Sequence, residues 1–287
     1  MPMTTATDLL RRWVVTRAGD EADWVRDRLD ALAAGAPERD LHVFLGLAPR
    51  RLGKADLALT EAELREADIA VPGWNPAGWS VDGAARVLAL MVHARERPFA
   101  ELFKDLRRTA DAAEMIALYR GLPLYPEPET LGFEVGEGLR SNIVAVFEAI
   151  AHHNPYPRDF FDEHRWNHMV LKALFVGVSL APVVGLEERA NPELARILRE
   201  YAHERWSAGR LPPPQLWRCV GPFAQDEAAL ADLARALEGA PAEARAAALA
   251  LSACPAPGAA DLLNGRPEAA AIAAGALSWE TLEDDAA

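Results

Sequence analysis

Half of the 287 residues are apolar, with Leu and Ala foremost, and the formal charge is −13. Nucleic acids and anionic membrane surfaces need a basic face, which this balance denies them, although a local basic pocket is compatible with it. Sparse β-branched residues favour helix over sheet, and Cys219 and Cys254 have no metal-binding or redox spacing and suit a reduced compartment.

The start of the chain is polar, and Asp8, Arg11 and Arg12 follow without an apolar core, so no secretory leader is expected. Thr7 and Asp8 are cap residues for a helix over 9–17. Gly19 and Asp20 open a second helix, with Trp24, Val25, Arg28, Leu29 and Leu32 at helical spacing, and Gly35-Ala36-Pro37 stops it. The apolar run 40–49 is short and ends at proline. The basic residues Arg50, Arg51 and Lys54 read as a solvated loop, and Thr60 with Glu63 forms a capping box. Two tryptophans, two prolines and two glycines in 72–79 predict an aromatic-anchored turn that plugs the core.

Ser80 caps a helix over 81–97, with Ala84, Val87, Leu88, Met91 and Val92 on its buried face. Helices follow at 100–107 and 111–121. The stretch 122–138, with three prolines and three glycines, reads as a long crossing loop. Leu139, Ile143, Val146, Phe147 and Ile150 then form a buried stripe, which His153-Asn154-Pro155 ends because a residue before proline avoids the α region.

The centre of the chain is its most informative part. A helix over 162–176 is apolar nearly all round and is expected to be buried. It nevertheless carries Asn167, and His164, His168 and Lys172 share one stripe. A buried lysine must be paired or lose its proton, so that stripe meets carboxylates or lines a wet cavity. On the helix over 193–208, Leu194, Ile197, Leu198 and Tyr201 define the apolar face, and Arg205 falls in its middle, in need of a carboxylate or an anionic ligand. His203, Arg199 and Glu200 fall on the solvent side, and Glu204 is borderline. Asn142 and His153 flank the preceding stripe, and Asn154 stands at a helix end. Asn142, His153, Asn154, Asn167, Lys172, Glu204 and Arg205 are therefore the candidate ligand-binding residues, expected to converge on one polar pocket.

The bland reading of these residues is helix-end satisfaction and a buried ion network, and that of Trp166, Trp206 and Trp217 is core packing. His164 and His168 have helical metal-ligand spacing but lack the HExxH glutamate and a third ligand. No phosphate-binding loop, dinucleotide fingerprint or nucleophile elbow is present. The sequence thus predicts no metal, no cofactor and no catalytic residue. Beyond Phe223, short Ala-rich helices at 226–238, 241–253 and 268–277 have small faces suited to close stacking, and the acidic tail from Glu280 is expected to fray.

Asn154-Pro-Tyr-Pro, Phe161-Asp-Glu, Trp166-Asn, Met169-Val-Leu-Lys-Ala-Leu-Phe, Gly185-Leu-Glu-Glu-Arg-Ala-Asn, Tyr201-Ala-His-Glu-Arg-Trp and Leu216-Trp-Arg-Cys-Val-Gly-Pro-Phe resemble the EboA family. The resemblance is dense over 142–223 and weak in the N-terminal third. It implies a role in the traffic or processing of a secondary metabolite, beside other proteins of the same operon. Position 168 is Gln in the family's pattern and 164 is not His, so the resemblance lends the histidine pair no role.

The expectation is an all-α protein, an α-solenoid-like stack of helix pairs of the HEAT or armadillo kind. Its regions are an N-terminal helical region 1–138, a central region 139–223 carrying the groove, and Ala-rich helices over 224–287. No segment has the ~18 uninterrupted apolar residues of a membrane span, and a cytoplasmic location is expected. The expected ligand is a small polar or anionic metabolite, or a pathway partner. The alternatives are a scaffold without ligand, or a cofactor-independent enzyme on a sugar or cyclitol phosphate. In the enzyme reading Lys172 and Arg205 hold the anion and His153 or Glu204 moves protons.

Overall fold

The computed structural model describes residues 4–284, and among them the chain is all-α, with one isolated bridge between Asp56 and Ser80. It divides into two compact units, Met1–Phe161 and Asp162–Ala287, so the divide falls within the central region 139–223. No helix among the described residues is long and apolar enough to cross a membrane.

The first unit contains α1 (Ala6–Arg17), α2 (Ala22–Ala33), α3 (Glu38–Leu52), α4 (Glu61–Ala70), α5 (Val81–Val92), α6 (Phe99–Thr109), α7 (Ala112–Arg120), α8 (Gly132–Leu139), α9 (Val144–Ala151) and α10 (Tyr156–Phe160). α5 is its axis: α1, α2, α3 and α7 all pack on it. Its side chains from Ala84 to Leu90 are buried, including Arg86. Each fully buried Val or Leu contributes roughly 1.5–3 kcal/mol, so the apolar majority of this helix anchors the unit.

The second unit contains α11 (Glu163–Val176), α12 (Pro192–Ser207), α13 (Glu227–Leu237), α14 (Pro241–Ser252), α15 (Ala259–Leu263), α16 (Pro267–Ala273) and α17 (Trp279–Asp284). Here α14 is central, packed by α13, α15 and the 3-10 turn Pro214–Cys219. Its alanines allow close backbone approach. A Cβ on Gly221 would collide with the backbone of Ala250, so only glycine fits there.

Several boundaries differ from those the sequence predicts. α1 is capped by Thr5, not Thr7, because Asp8 stands at the third helical position and completes a capping box with it. α3 runs through Pro49 instead of ending there. α5 stops at Val92, since the Ala94 N–H leaves the helix for the Leu32 carbonyl at 3.1 Å. The stretch 122–138 is not an open loop: Pro123 and Pro128 sit in the first positions of 3-10 turns, where a missing N–H costs little, and α8 follows. The predicted stripe from Leu139 to Ile150 is interrupted, because the Ser141 hydroxyl takes the Ile143 N–H at 3.1 Å and starts a new helix. Ile143 is consequently exposed while Val146, Phe147 and Ile150 stay buried. The tail from Glu280 is helical as far as Asp284, and its last residues, like Met1 to Met3 at the other end, lie outside the described residues.

Candidate functional site

The aromatic turn of the first unit is built by local hydrogen bonds. Asn75 Oδ1 accepts the Ala77 N–H at 2.9 Å, and the Asn75 N–H donates to the His153 carbonyl at 3.2 Å. Arg120 donates to the Gly78 carbonyl at 3.1 Å, and Arg158 to that of Pro72 at 3.1 Å. The Leu57 N–H and the Trp79 carbonyl, 2.7 Å apart, tie the preceding loop to the same turn. Trp74 is buried between Trp13 and Trp79, with centroid distances of 5.9 Å to each. Trp74 is the expected core plug, while Trp79 also forms a cleft wall.

Asn154 fastens the helix ends opposite that turn. Its buried Nδ2 donates to the carbonyls of Tyr119 at 3.1 Å and Ala149 at 3.0 Å, and its Oδ1 accepts the Tyr156 N–H at 3.0 Å. One amide thereby joins the C-terminal ends of α7 and α9. The neighbouring His153 is held at φ +53°, a left-handed conformation that non-glycine residues seldom adopt.

Between these elements lies a cavity of about 230 Å³, lined by Asn75, Arg120, Glu148, His152, His153 and Asn154 among others. It shares Trp79, Ile116 and Arg120 with a neighbouring depression of about 290 Å³ that adds Lys54, Ser80 and Asp82. Together they make one cleft with Arg120 at its middle. Among the described residues no carboxylate lies within 4.0 Å of the Arg120 or Lys54 cationic groups. Burial lowers the Arg120 pKa from its ordinary value. Burial also lowers that of His153, with His152 and Arg120 adding to the effect. His153 is therefore mostly neutral at pH 7, able to donate from one nitrogen and accept at the other. A guanidinium, an ammonium, a neutral imidazole and the Glu148 carboxylate together can grip an anion that also carries hydroxyl groups.

The sequence candidates divide between the two units. Asn142, His153 and Asn154 belong to the first, and only His153 and Asn154 line the cleft; Asn142 is exposed in the turn before α9. In the second unit, buried Asn167 exchanges amide hydrogen bonds with Asn191 at 3.2 and 2.9 Å. Asn191 Oδ1 in turn caps α12 by accepting the Leu194 N–H at 2.8 Å. Asn167 is thus a brace for a helix start. Among the described residues Arg205 meets no carboxylate within 4.0 Å; its guanidinium donates twice to the Leu211 carbonyl, at 3.1 and 2.9 Å, and closes the chain after α12. The helical projection missed this because the partner lies beyond the helix. Glu204 is exposed and Lys172 half-buried, and burial lowers the Lys172 pKa.

His203 and Arg199, placed on the solvent side by the sequence, both reach α13. His203 Nε2 stands 2.6 Å from Asp232 Oδ1, and Arg199 Nε donates to Asp232 Oδ2 at 2.7 Å. The His164 and His168 rings lie 4.2 Å apart and exposed. Among the described residues no three His, Cys, Asp or Glu side chains are grouped to hold a metal. Sequence reasoning missed Lys54, Asn75, Arg120 and Glu148, because the cleft assembles residues from α7, α9 and two loops. Arg120 had one available signal, a cation at a helix end beside the aromatic turn it could reach.

These features define a helical protein with a polar cleft in its first unit and no metal cluster among the described residues. The family model described as "Metabolite traffic protein EboA" matches residues 6–221, most of the chain, and the chain belongs to the EboA family. The match takes in the N-terminal third, where the sequence resemblance is weak, and with it every cleft residue named above. No curated protein and no solved structure matches the chain.

Proposed function

We propose that the protein binds a small, polar, anionic metabolite in the cleft of its first unit, as a carrier or binding component of metabolite traffic. The observation that carries this reading is Arg120, partly desolvated in the cleft, attracted by Asp56 and Glu148 but with no carboxylate within 4.0 Å among the described residues. Lys54 supplies a second cation, while Glu148, Asn75 and the histidines supply acceptors and donors for hydroxyl groups. A sugar or cyclitol phosphate has that chemistry. The family's description supports a metabolite as the cargo. A cytoplasmic location, a place in secondary metabolism beside proteins of the same operon, and a HEAT- or armadillo-like stacking of helix pairs belong to the same proposal.

Titration calorimetry of the full chain with inorganic phosphate, a sugar phosphate and the parent neutral sugar tests it. The sugar phosphate is expected to bind more tightly than either of the others. Arg120→Met is expected to lower its affinity about tenfold or more, as the loss of a charge-assisted hydrogen bond would. Arg120→Lys keeps the charge and should retain part of the affinity. No saturable binding of the sugar phosphate, or equal binding by wild type and Arg120→Met, removes the proposal.

A further inference from the structure

Arg86 is 5% exposed in the middle of α5. Its Nε donates to the Leu45 carbonyl at 3.1 Å. Its two terminal nitrogens are less well placed: Nη1 stands 3.7 Å from Asp82 Oδ2 and Nη2 3.5 Å from Glu114 Oε1. Those separations support ion pairing but are too long for hydrogen bonds. Neither nitrogen makes a hydrogen bond to the described residues. Neither nitrogen is sealed off without a partner, so both stay open to the space beside them, where a donor can still find an acceptor.

Arg86 also lines a separate pocket of about 120 Å³, whose wall combines Leu45, Leu90, Leu106 and Leu118 with the polar residues Thr109 and Glu114. That volume is comparable to the ~150 Å³ apolar cavity known to hold benzene. The four leucines suit an apolar body of about one six-membered ring, while Arg86, Thr109 and Glu114 form the polar part of the wall. The charge on Arg86 is already faced by two carboxylates, so an added anion would be repelled by both, whereas a neutral acceptor would meet the open donors without adding charge.

We propose that this cavity is a second binding site, for a small cyclic or branched apolar molecule carrying one neutral carbonyl oxygen, with Arg86 as the recognition group. It is distinct from the cleft around Arg120 and stands whether or not that cleft binds a phosphate.

The test uses the full chain and three probes of one shape: cyclohexanone, methylenecyclohexane and cyclohexanecarboxylate, titrated by ligand-observed NMR. Cyclohexanone is expected to bind saturably and about tenfold more tightly than methylenecyclohexane, the difference of one hydrogen bond to a charged donor. Cyclohexanecarboxylate is expected to bind more weakly than the ketone. Gly46→Phe should weaken binding of all three by placing a ring against the pocket that Gly46 lines. A Cβ at that position meets nothing within 4 Å, so this variant is expected to fold. Equal affinity for the ketone and the alkene, tighter binding of the carboxylate, no saturable binding by wild type, or undiminished binding by Gly46→Phe would each overturn the proposal.

Discussion

The Nε of Arg86 donates to the carbonyl of Leu45 across 3.1 Å, and Pro49 is the reason that carbonyl is available. Within α3 the Leu45 oxygen would ordinarily accept the N–H four residues on, but proline has none. A helix that sequence rules would end at proline therefore continues, because an arginine from another helix takes over the orphaned acceptor. The arrangement also places a charge among apolar side chains, with Asp82 and Glu114 as its counterions.

Arg86→Met should accordingly destabilise the protein by about 3–5 kcal/mol, since it leaves the buried Asp82 carboxylate with the Ser80 hydroxyl but no counterion, and the Leu45 oxygen without a donor. Adding Asp82→Asn removes the stranded charge and should recover a large part of that loss. Urea unfolding of the wild type, the single variant and the double variant measures both steps. A single variant within 1 kcal/mol of wild type, roughly the scale of an exposed ion pair, would show that the buried network contributes little.

A second prediction concerns the start of α12. Asn191 spends its oxygen on the Leu194 N–H and exchanges amide hydrogen bonds with Asn167. Asn191→Ala should cost about 1–2 kcal/mol, the range for loss of a helix cap. Asn167→Ala should cost about 1 kcal/mol, and the two should couple by ~0.5 kcal/mol or more because they share the amide pair. Thermal denaturation of both single variants and the double closes the cycle. Strictly additive losses would mean that the two amides do not stabilise each other.

What the sequence discloses, and what it conceals, follows from the range of the interactions. Ser80 capping α5 and the Thr60–Glu63 capping box are contacts within three residues, and both were legible. The all-helical class follows from composition and spacing, which also act locally. Pro49 was misread because its compensation comes from Arg86, 37 positions later in the chain. The cleft was only half legible for the same reason. His153 and Asn154 attracted notice beside Pro155, but Arg120 and Lys54 acquire meaning only when α7, α9 and the aromatic turn converge. Arg205 marks the opposite error. A helical projection puts it on an apolar face, but its long side chain reaches past the helix end to Leu211.

Acid should weaken the packing of α4 in a defined window. A side-chain hydrogen bond from Arg17 is the largest influence on Glu63, and with the Thr60 bonds it holds the Glu63 pKa at about 2, below its ordinary value of 4.5. The folded pKa is depressed, so this contribution is fully present above about 4.5 and fades as pH falls toward 2. Glu63→Gln should therefore lower the melting temperature at pH 7 and lower it much less at pH 2.5. A deficit of equal size at both values would mean that the glutamate acts through shape and not charge.

The last prediction separates two adjacent residues that the sequence grouped together. Asn154 makes three hydrogen bonds from a buried amide, all to backbone. Asn154→Ala leaves two carbonyls and one N–H without it, and should cost about 2–3 kcal/mol on the scale of unmade buried hydrogen bonds. His153 makes the opposite case. Its φ of +53° suits glycine, and its side chain lines the cleft, edge-on to His152 and with no hydrogen bond among the described residues. His153→Gly relieves a strain of roughly 1 kcal/mol, offset in part by the greater freedom of glycine in the unfolded chain. It should thus fold at least as well as wild type. The same variant should bind a sugar phosphate more weakly, because a donor and acceptor has left the cleft. Parallel unfolding and titration measurements decide the point. If His153→Gly were destabilised like Asn154→Ala and kept full affinity, the left-handed histidine would be part of the scaffold, and the cleft would have to work through Arg120 and Lys54 without it.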